Sequence, residues 1–268
     1  DAETGWPLLD MLYKPVRGEW TLVTGAPGSG KSEWLLALVC NLAEKFGWKF
    51  GLFCGQVKKE ELMVLIYEKR QRCHRDTMTE EVLDREFVEK HMQVGASGFK
   101  SITEEEFFAK ASDLVKRYDL KGLVIDPVGF VDWPRSGYAR EGDFVRAFLA
   151  RLRNFVQEHC CHVWLAAHSV KKGMWGNETL CDISDCAPFV NRCDVRIALL
   201  RNKEAKESEA NEVDLQVLKV RNRESGLCGS VKLWFDWRTH RYSEAPVPES
   251  PVGPSPRIAM RRKTPQDR

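Results

Sequence analysis

At 268 residues, with 43% hydrophobic and 30% charged side chains, the chain has the composition of an ordinary globular protein with room for an extensive core. The 41 Lys and Arg are balanced by 39 Asp and Glu, which excludes binding of nucleic acid through a global positive field and leaves only local patches for that role. No apolar run approaches the ~20 residues needed to cross a bilayer, so no membrane partner is expected.

In chain order, Trp20-Thr21-Leu22-Val23-Thr24 predicts a short buried strand that runs into the glycine-rich Gly25-Ala26-Pro27-Gly28-Ser29-Gly30-Lys31-Ser32. From Ser32 to Phe46, Leu35, Leu38, Val39, Leu42 and Phe46 recur at helical spacing. Lys49 to Cys54 predicts a second strand, and Lys58 to Cys73 a helix with Leu62, Leu65 and Ile66 on one face. Thr77 with Glu80, and Thr103 with Glu106, have capping-box spacing and predict two further helix starts. Gly122-Leu123-Val124-Ile125-Asp126 is an apolar strand ending in an acid; Gly142 to Glu158 is an amphipathic helix and Val163 to Ala167 a buried strand.

This alternation predicts an α/β fold with a mostly parallel sheet flanked by helices. Val195 to Leu200, Val213 to Val220 and Val231 to Phe235 lack intervening helices, which predicts an antiparallel C-terminal extension. Residues 1–244 are read as one domain. Residues 245–268 hold six of the twelve prolines and a basic cluster, Arg261, Arg262 and Lys263, and are read as a disordered tail. The chain opens on Asp1 with neither a methionine nor a leader, which suggests a processed or excised segment of something longer.

The nine cysteines form no CxxC pair, and their odd number suits free thiols in a reducing compartment. His159-Cys160-Cys161-His162 has the residue types of a zinc site. It spans a helix end and a strand start, however, so its four side chains are not expected to converge.

The glycine-rich segment meets every fixed position of G-x-x-x-x-G-K-[ST], the phosphate-binding P-loop. Small residues at Gly25, Gly28, Ser29 and Gly30 let backbone N–H groups turn inward around phosphate oxygens. Lys31 then reaches the β/γ-phosphates, and Ser32 offers a hydroxyl to Mg²⁺. The following helix adds its positive N-terminus, so a bound nucleoside triphosphate is expected. Asp126, at the carboxyl end of its strand, is placed where open α/β sheets bind ligands and is the candidate second contact to Mg²⁺, through water.

Six segments then follow one another in order: Gly5-Trp6, Trp48-Lys49-Phe50, Val124-Ile125-Asp126-Pro127, Cys161 to His168, Asp182-Ile183-Ser184 and Lys219-Val220-Arg221-Asn222. Together they resemble the helicase domain of Twinkle-type organellar and phage replicative helicases, within the DnaB group of RecA-like ATPases. The resemblance runs from about residue 5 to 243; the primase-like half that many members carry ahead of this domain is not among the 268 residues.

It implies a RecA-like P-loop core, ATP and Mg²⁺ as cofactors, and a ring of copies, usually a hexamer, with single-stranded DNA through the centre. A primase or polymerase as partner, and residence in mitochondria or plastids, are implied in the same way. Carried over residue by residue, Lys31 and Ser32 hold phosphate and Mg²⁺, Asp126 is the Walker B acid, and His168 is the polar sensor of the γ-phosphate. A histidine hydrogen-bonded near a strand end is the alternative for His168. Lys219 and Arg221 match the pair that enters a neighbouring subunit's ATP site. Two residues apart on a strand, they share a face, and Arg223 can join them. A solvated basic strand end is the alternative.

One departure matters. Where the resembling family ends its second strand in a glutamate that activates water, this chain has Gln56. An amide can hold a water but cannot take its proton, and loss of a general base costs ~10²–10⁴ in rate. Three readings stay open. The first is impaired hydrolysis, which leaves an ATP-binding ring subunit or scaffold. The second has Glu60 or Glu61 substitute from the next helix. In the third, Gln56 positions water while Lys219 and Arg221 stabilise the transition state.

Two loops leave the carboxyl end of the sheet. Val128 to Arg140 carries Trp133, Arg135 and Arg140; Ser169 to Asp185 carries Lys171, Lys172 and Trp175. In the resembling family the second loop lines the channel, so Lys171 and Lys172 are candidates for phosphate contact and Trp175 for base stacking. The leading expectation is an ATP-dependent DNA helicase; a hydrolysis-poor scaffold and a recombinase-type filament are the alternatives.

Overall fold

Trp20–Gly25 forms the central strand β1, and its side chains alternate between two hydrophobic clusters: Trp20 and Leu22 join one, Val23 the other. The computed structural model describes residues 2–72, 84–98, 100–132, 141–168, 187–201 and 211–246. In chain order the helices are α1 (Pro7–Asp10), α2 (Lys31–Phe46), α3 (Lys59–Gln71), α4 (Arg85–His91), α5 (Glu104–Tyr118), α6 (Glu141–Glu158) and α7 (Ala187–Arg192). The remaining strands are β2 (Phe50–Cys54), β3 (Met92–Ser97), β4 (Ile102–Thr103), β5 (Gly122–Asp126), β6 (Val131–Asp132), β7 (His162–His168), β8 (Val195–Leu200), β9 (Glu212–Val220), β10 (Gly229–Asp236) and β11 (Arg241–Ser243).

Nine strands make one sheet in the order β11-β10-β9-β8-β1-β7-β5-β2-β3. From β8 to β3 every pairing is parallel; β9, β10 and β11 add antiparallel, as their lack of intervening helices requires. The central strands are buried on both faces. Val124, Trp164 and Ala166 face α2 and α3, while Leu123, Ile125, Val163 and Leu165 face α5 and α6. In β9 only alternate residues, Val213, Leu215 and Val217, are buried, the pattern of a sheet with one wet face.

Most predicted elements are present within a residue or two. The Thr103–Glu106 capping box opens α5: Glu106 N donates to Thr103 Oγ1 at 3.2 Å, and Thr103 N donates to Glu106 Oε2 at 3.0 Å. The Thr77–Glu80 pair lies outside the described residues, as does the tail beyond residue 246. Edge strand β3 is not predicted by the sequence; Gln93, Gly95, Ala96 and Ser97 carry no β-branched run, and β2 supplies its pairing.

Candidate active site

The loop after β1 has the shape its glycines permit. Gly28 and Gly30 take φ of 77° and 94°, in the left-handed region where side chains strain the backbone. At Gly25 close approach matters more, since a Cβ there would sit 2.5 Å from Ser29 Oγ and 2.6 Å from the Leu199 carbonyl oxygen. Gly30 is the left-handed N-cap of α2 and offers no side chain to its free N–H groups, so those donors remain available at the helix's positive end.

Lys31 is buried, and its Nζ donates to the carbonyls of Gly25 at 2.7 Å and Ala26 at 3.0 Å. A buried ammonium needs such acceptors, and phosphate oxygens are stronger ones. Ser32 is exposed at the second position of α2, whereas Ser29 Oγ is buried without a hydrogen-bond partner among the described residues. A cradle that a Cβ would fill, a lysine across it and a free helix N-terminus fit a triphosphate. An exposed hydroxyl together with a carboxylate at a nearby strand end suits a hard cation such as Mg²⁺.

The parallel register lines up the other candidates. Gly25 of β1 is opposite His168 of β7; β7 pairs with β5, which ends at Asp126; Asp126 is opposite Cys54 of β2. Gly55 N donates to the Asp126 carbonyl at 3.0 Å, which ties the end of β2 to the end of β5. Thus the ends carrying the P-loop, His168, Asp126 and Gln56 share one edge of the sheet, spread over three strand spacings, ~14 Å. Asp126 is half-buried and Gln56 exposed. Gln56 lines a cleft of about 330 Å³ with Pro127, Val128, Phe130, Ala167 and Phe189. The sensor role suggested for the His168 side chain lies outside the described atoms, and Lys171, Lys172 and Trp175 lie outside the described residues, as do Trp133, Arg135 and Arg140.

Lys219 and Arg221 sit at the opposite edge. Lys219 is opposite Arg196 on β8, and Arg221 N donates to the Asp194 carbonyl, level with Trp20 at the start of β1. The five steps from Trp20 to Gly25 span ~17 Å, beyond the reach of either side chain. Both cations point the same way, as their spacing implies, but they meet their own chain. Lys219 Nζ donates to the carbonyls of Val190 at 2.8 Å and of Asn191 and Cys193 at 2.9 Å. Arg221 donates to those of Asn191 and Arg192 at 3.3 Å. They cap the carboxyl end of α7, where cations are favoured.

A family model described as AAA domain matches residues 3–174. The chain belongs to the AAA-domain family. It is a nucleotide-binding α/β chain of that family, 35% identical over 271 residues to the Twinkle homolog protein, chloroplastic/mitochondrial, of Arabidopsis thaliana. That match takes in 96% of this chain and 38% of the relative, so the AAA domain described here spans well under half of that protein's length. Among solved structures, one described as an ATPase domain superposes with a TM-score of 0.75 at 15% identity, covering 90% of each chain. A DnaB-like replicative helicase, studied for its interactions with primase, gives the same TM-score and identity over 90% of this chain and 61% of that one. Both likenesses establish the RecA-like fold of DnaB-type ATPase domains.

Sequence reasoning missed Asp194 and Arg153. Arg153 NH1 and NH2 donate to the two Asp194 carboxylate oxygens at 2.7 and 2.8 Å, and Arg221 NH1 lies 3.3 Å from the same carboxylate. The only local signal was an acid just ahead of an apolar strand. The tempting His159–His162 cluster does disperse: His159 meets Ser112, whereas His162 is buried against Tyr13, Thr21 and the Val16 carbonyl. Among the described residues no group of three or more His, Cys, Asp or Glu could hold a metal ion.

Proposed function

We propose that this chain is the ATPase motor of a replicative DNA helicase, working as a ring of copies that holds ATP between neighbours, moves on single-stranded DNA and unwinds duplex. The observation that carries this reading is the separation of two half-sites: a P-loop with Asp126 and Gln56 on one edge of the sheet, and Lys219 with Arg221 on the other. A cation pair out of reach of its own nucleotide suits the nucleotide of a second copy. The similarity to the Twinkle homolog supports the same reading, and it favours the motor over a hydrolysis-impaired scaffold.

In this account Lys31 exchanges the Gly25 and Ala26 carbonyls for β/γ-phosphate oxygens, and the N–H groups from Gly28 to Ser32 hold the rest of the chain of phosphates. Ser32 and Asp126 hold Mg²⁺, which when bound neutralises charge on the β- and γ-phosphates. Gln56 orients the attacking water by accepting one hydrogen bond and donating another; it takes no proton. His168 reads the γ-phosphate from the end of β7. Arg221, from the next copy, meets the charge that develops in the transition state, a contribution of ~10³–10⁵ in rate for arginines supplied this way. Lys171, Lys172 and Trp175 contact the strand of DNA. A primase or polymerase partner and an organellar matrix are part of the proposal, as the relative's chloroplastic/mitochondrial description suggests.

The test is ATP hydrolysis with and without single-stranded DNA, on protein of known assembly state. Turnover should rise with DNA and vanish in Lys31→Ala. Equal turnover with and without DNA would leave a nucleotide-binding domain that is not a DNA motor.

A further inference from the structure

The edge that carries Arg221 is more elaborately built than a solvated strand end requires. The Asp194 side chain is 2% exposed. Its carboxylate accepts the Trp20 backbone N–H at 2.9 Å, a bidentate guanidinium from Arg153 and a third contact from Arg221. Breaking such a buried arrangement costs far more than losing a surface pair, so its presence here asks for a purpose.

The two arginines are held differently. Arg153 makes short paired bonds to Asp194, adds a 3.0 Å bond to the Arg192 carbonyl, and its side chain is 23% exposed. Arg221 is held at 3.3 Å by each of its partners and is 43% exposed. One carboxylate therefore faces two guanidinium groups, one fixed and one loosely placed, and the surplus positive charge is directed outward. Leu149, Arg153, Asn154, Arg192 and Arg221 surround a recess of about 280 Å³. Glu19 accepts from Ser225 Oγ at 2.5 Å and from Asn222, which pins the turn that follows Arg221.

We propose that Asp194 and Arg153 are positioning residues for Arg221: they hold its guanidinium at the rim of this recess, from which it enters the nucleotide site of a second copy of the chain. This rests on the reading of Arg221 as a residue that acts on a neighbour. Asp194 itself touches no substrate. It fixes where Arg221 waits, and Arg153 takes up most of its charge so that Arg221 is released without leaving a buried carboxylate unpaired. The ligand class that suits the recess is the anionic end of a triphosphate held by the neighbouring P-loop.

The experiment uses the full chain with single-stranded DNA and four variants, Arg221→Ala, Asp194→Asn, Arg153→Lys and Lys31→Ala, alone and in equimolar mixtures. Asp194→Asn keeps an oxygen for the Trp20 N–H but gives up the charge. It should lower kcat on the order of 10- to 100-fold, the scale of a misplaced group, with KM for ATP unchanged because its own P-loop is intact. Lys31→Ala subunits cannot use ATP but present a correctly placed Arg221. Mixing them in should restore turnover several-fold to Asp194→Asn, to Arg153→Lys and to Arg221→Ala alike.

Wild-type kcat in Asp194→Asn overturns the proposal. So does restoration of Arg221→Ala without restoration of Asp194→Asn, which would mean that Asp194 serves only the fold of its own subunit. If Asp194→Asn does not fold, Arg153→Lys decides by the same comparison. Failure to restore even Arg221→Ala removes the reading of a residue acting on a neighbour, and this proposal with it.

Discussion

At the scale of single residues, the proposed chemistry turns on Gln56. It follows β2 directly, tied by the Gly55 hydrogen bond to the end of β5, and it lines the cleft beside Pro127 and Ala167. In the proposed mechanism an amide there orients water but offers no basic oxygen, so proton removal falls to the γ-phosphate or solvent. Gln56→Glu places a carboxylate there, and under the proposed role turnover should rise, by up to ~10²-fold if a general base is the missing element. Steady-state ATPase assays with saturating DNA check this; equal or lower turnover in the mutant would show that Gln56 is not at the water. Burial pushes the thiols of Cys40 and Cys193 up to about 11 and that of Cys161 up to about 12, so these cysteines stay protonated at neutral pH, in keeping with free thiols.

At the scale of elements, a buried polar network ties the N-terminal segment to the central strands. Tyr13 Oη meets Thr21 Oγ1 of β1 at 2.9 Å and accepts from Trp164 Nε1 of β7 at 2.9 Å, while His162 bonds Thr21, Tyr13 and the Val16 carbonyl. Desolvation by burial outweighs the Val16 carbonyl hydrogen bond and the nearby Asp194 charge, and lowers the His162 pKa from 6.5 to about 4. The unfolded chain therefore binds more protons than the folded one between those values. Stability from a neutral His162 is complete above about pH 6.5 and is lost as the pH falls toward 4, by at most about 1.4 kcal/mol per pH unit. Urea denaturation across this window should show the decline, and His162→Gln should flatten it. An unchanged slope in that variant would contradict the burial argument.

The same elements show what was legible. The P-loop could be read because its chemistry fixes a local pattern, and β1, β5 and β7 because strands buried on both faces leave continuous apolar runs. The capping box of α5 could be read because both partners lie within four residues. Edge strand β3 could not, since its neighbour β2 rather than its own residues makes it a strand. The Asp194–Arg153–Arg221 cluster joins residues from α6, the start of β8 and the end of β9, and no local pattern links them. Pairing of that kind is set by the sheet order, which the alternation of strands and helices suggests only in outline.

At the scale of the whole molecule, the sheet presents two chemically different edges. One offers a phosphate cradle, a carboxylate and an amide. The other offers Lys219, held by backbone carbonyls, and Arg221, held in part by the buried Asp194. The two sets lie at opposite ends of the strands, ~17 Å apart within one chain, so in the proposed mechanism neither completes a hydrolytic site alone. In the proposed ring, each edge meets its complement on a neighbouring copy and none is left unmatched.

The central claim, that one nucleotide site is shared by two copies, is tested most directly by measuring ATP turnover per subunit against protein concentration, with single-stranded DNA saturating throughout. Turnover per subunit should climb steeply as copies associate and then level off once they are assembled. Constant turnover per subunit from dilute, monomeric protein upward would contradict the account.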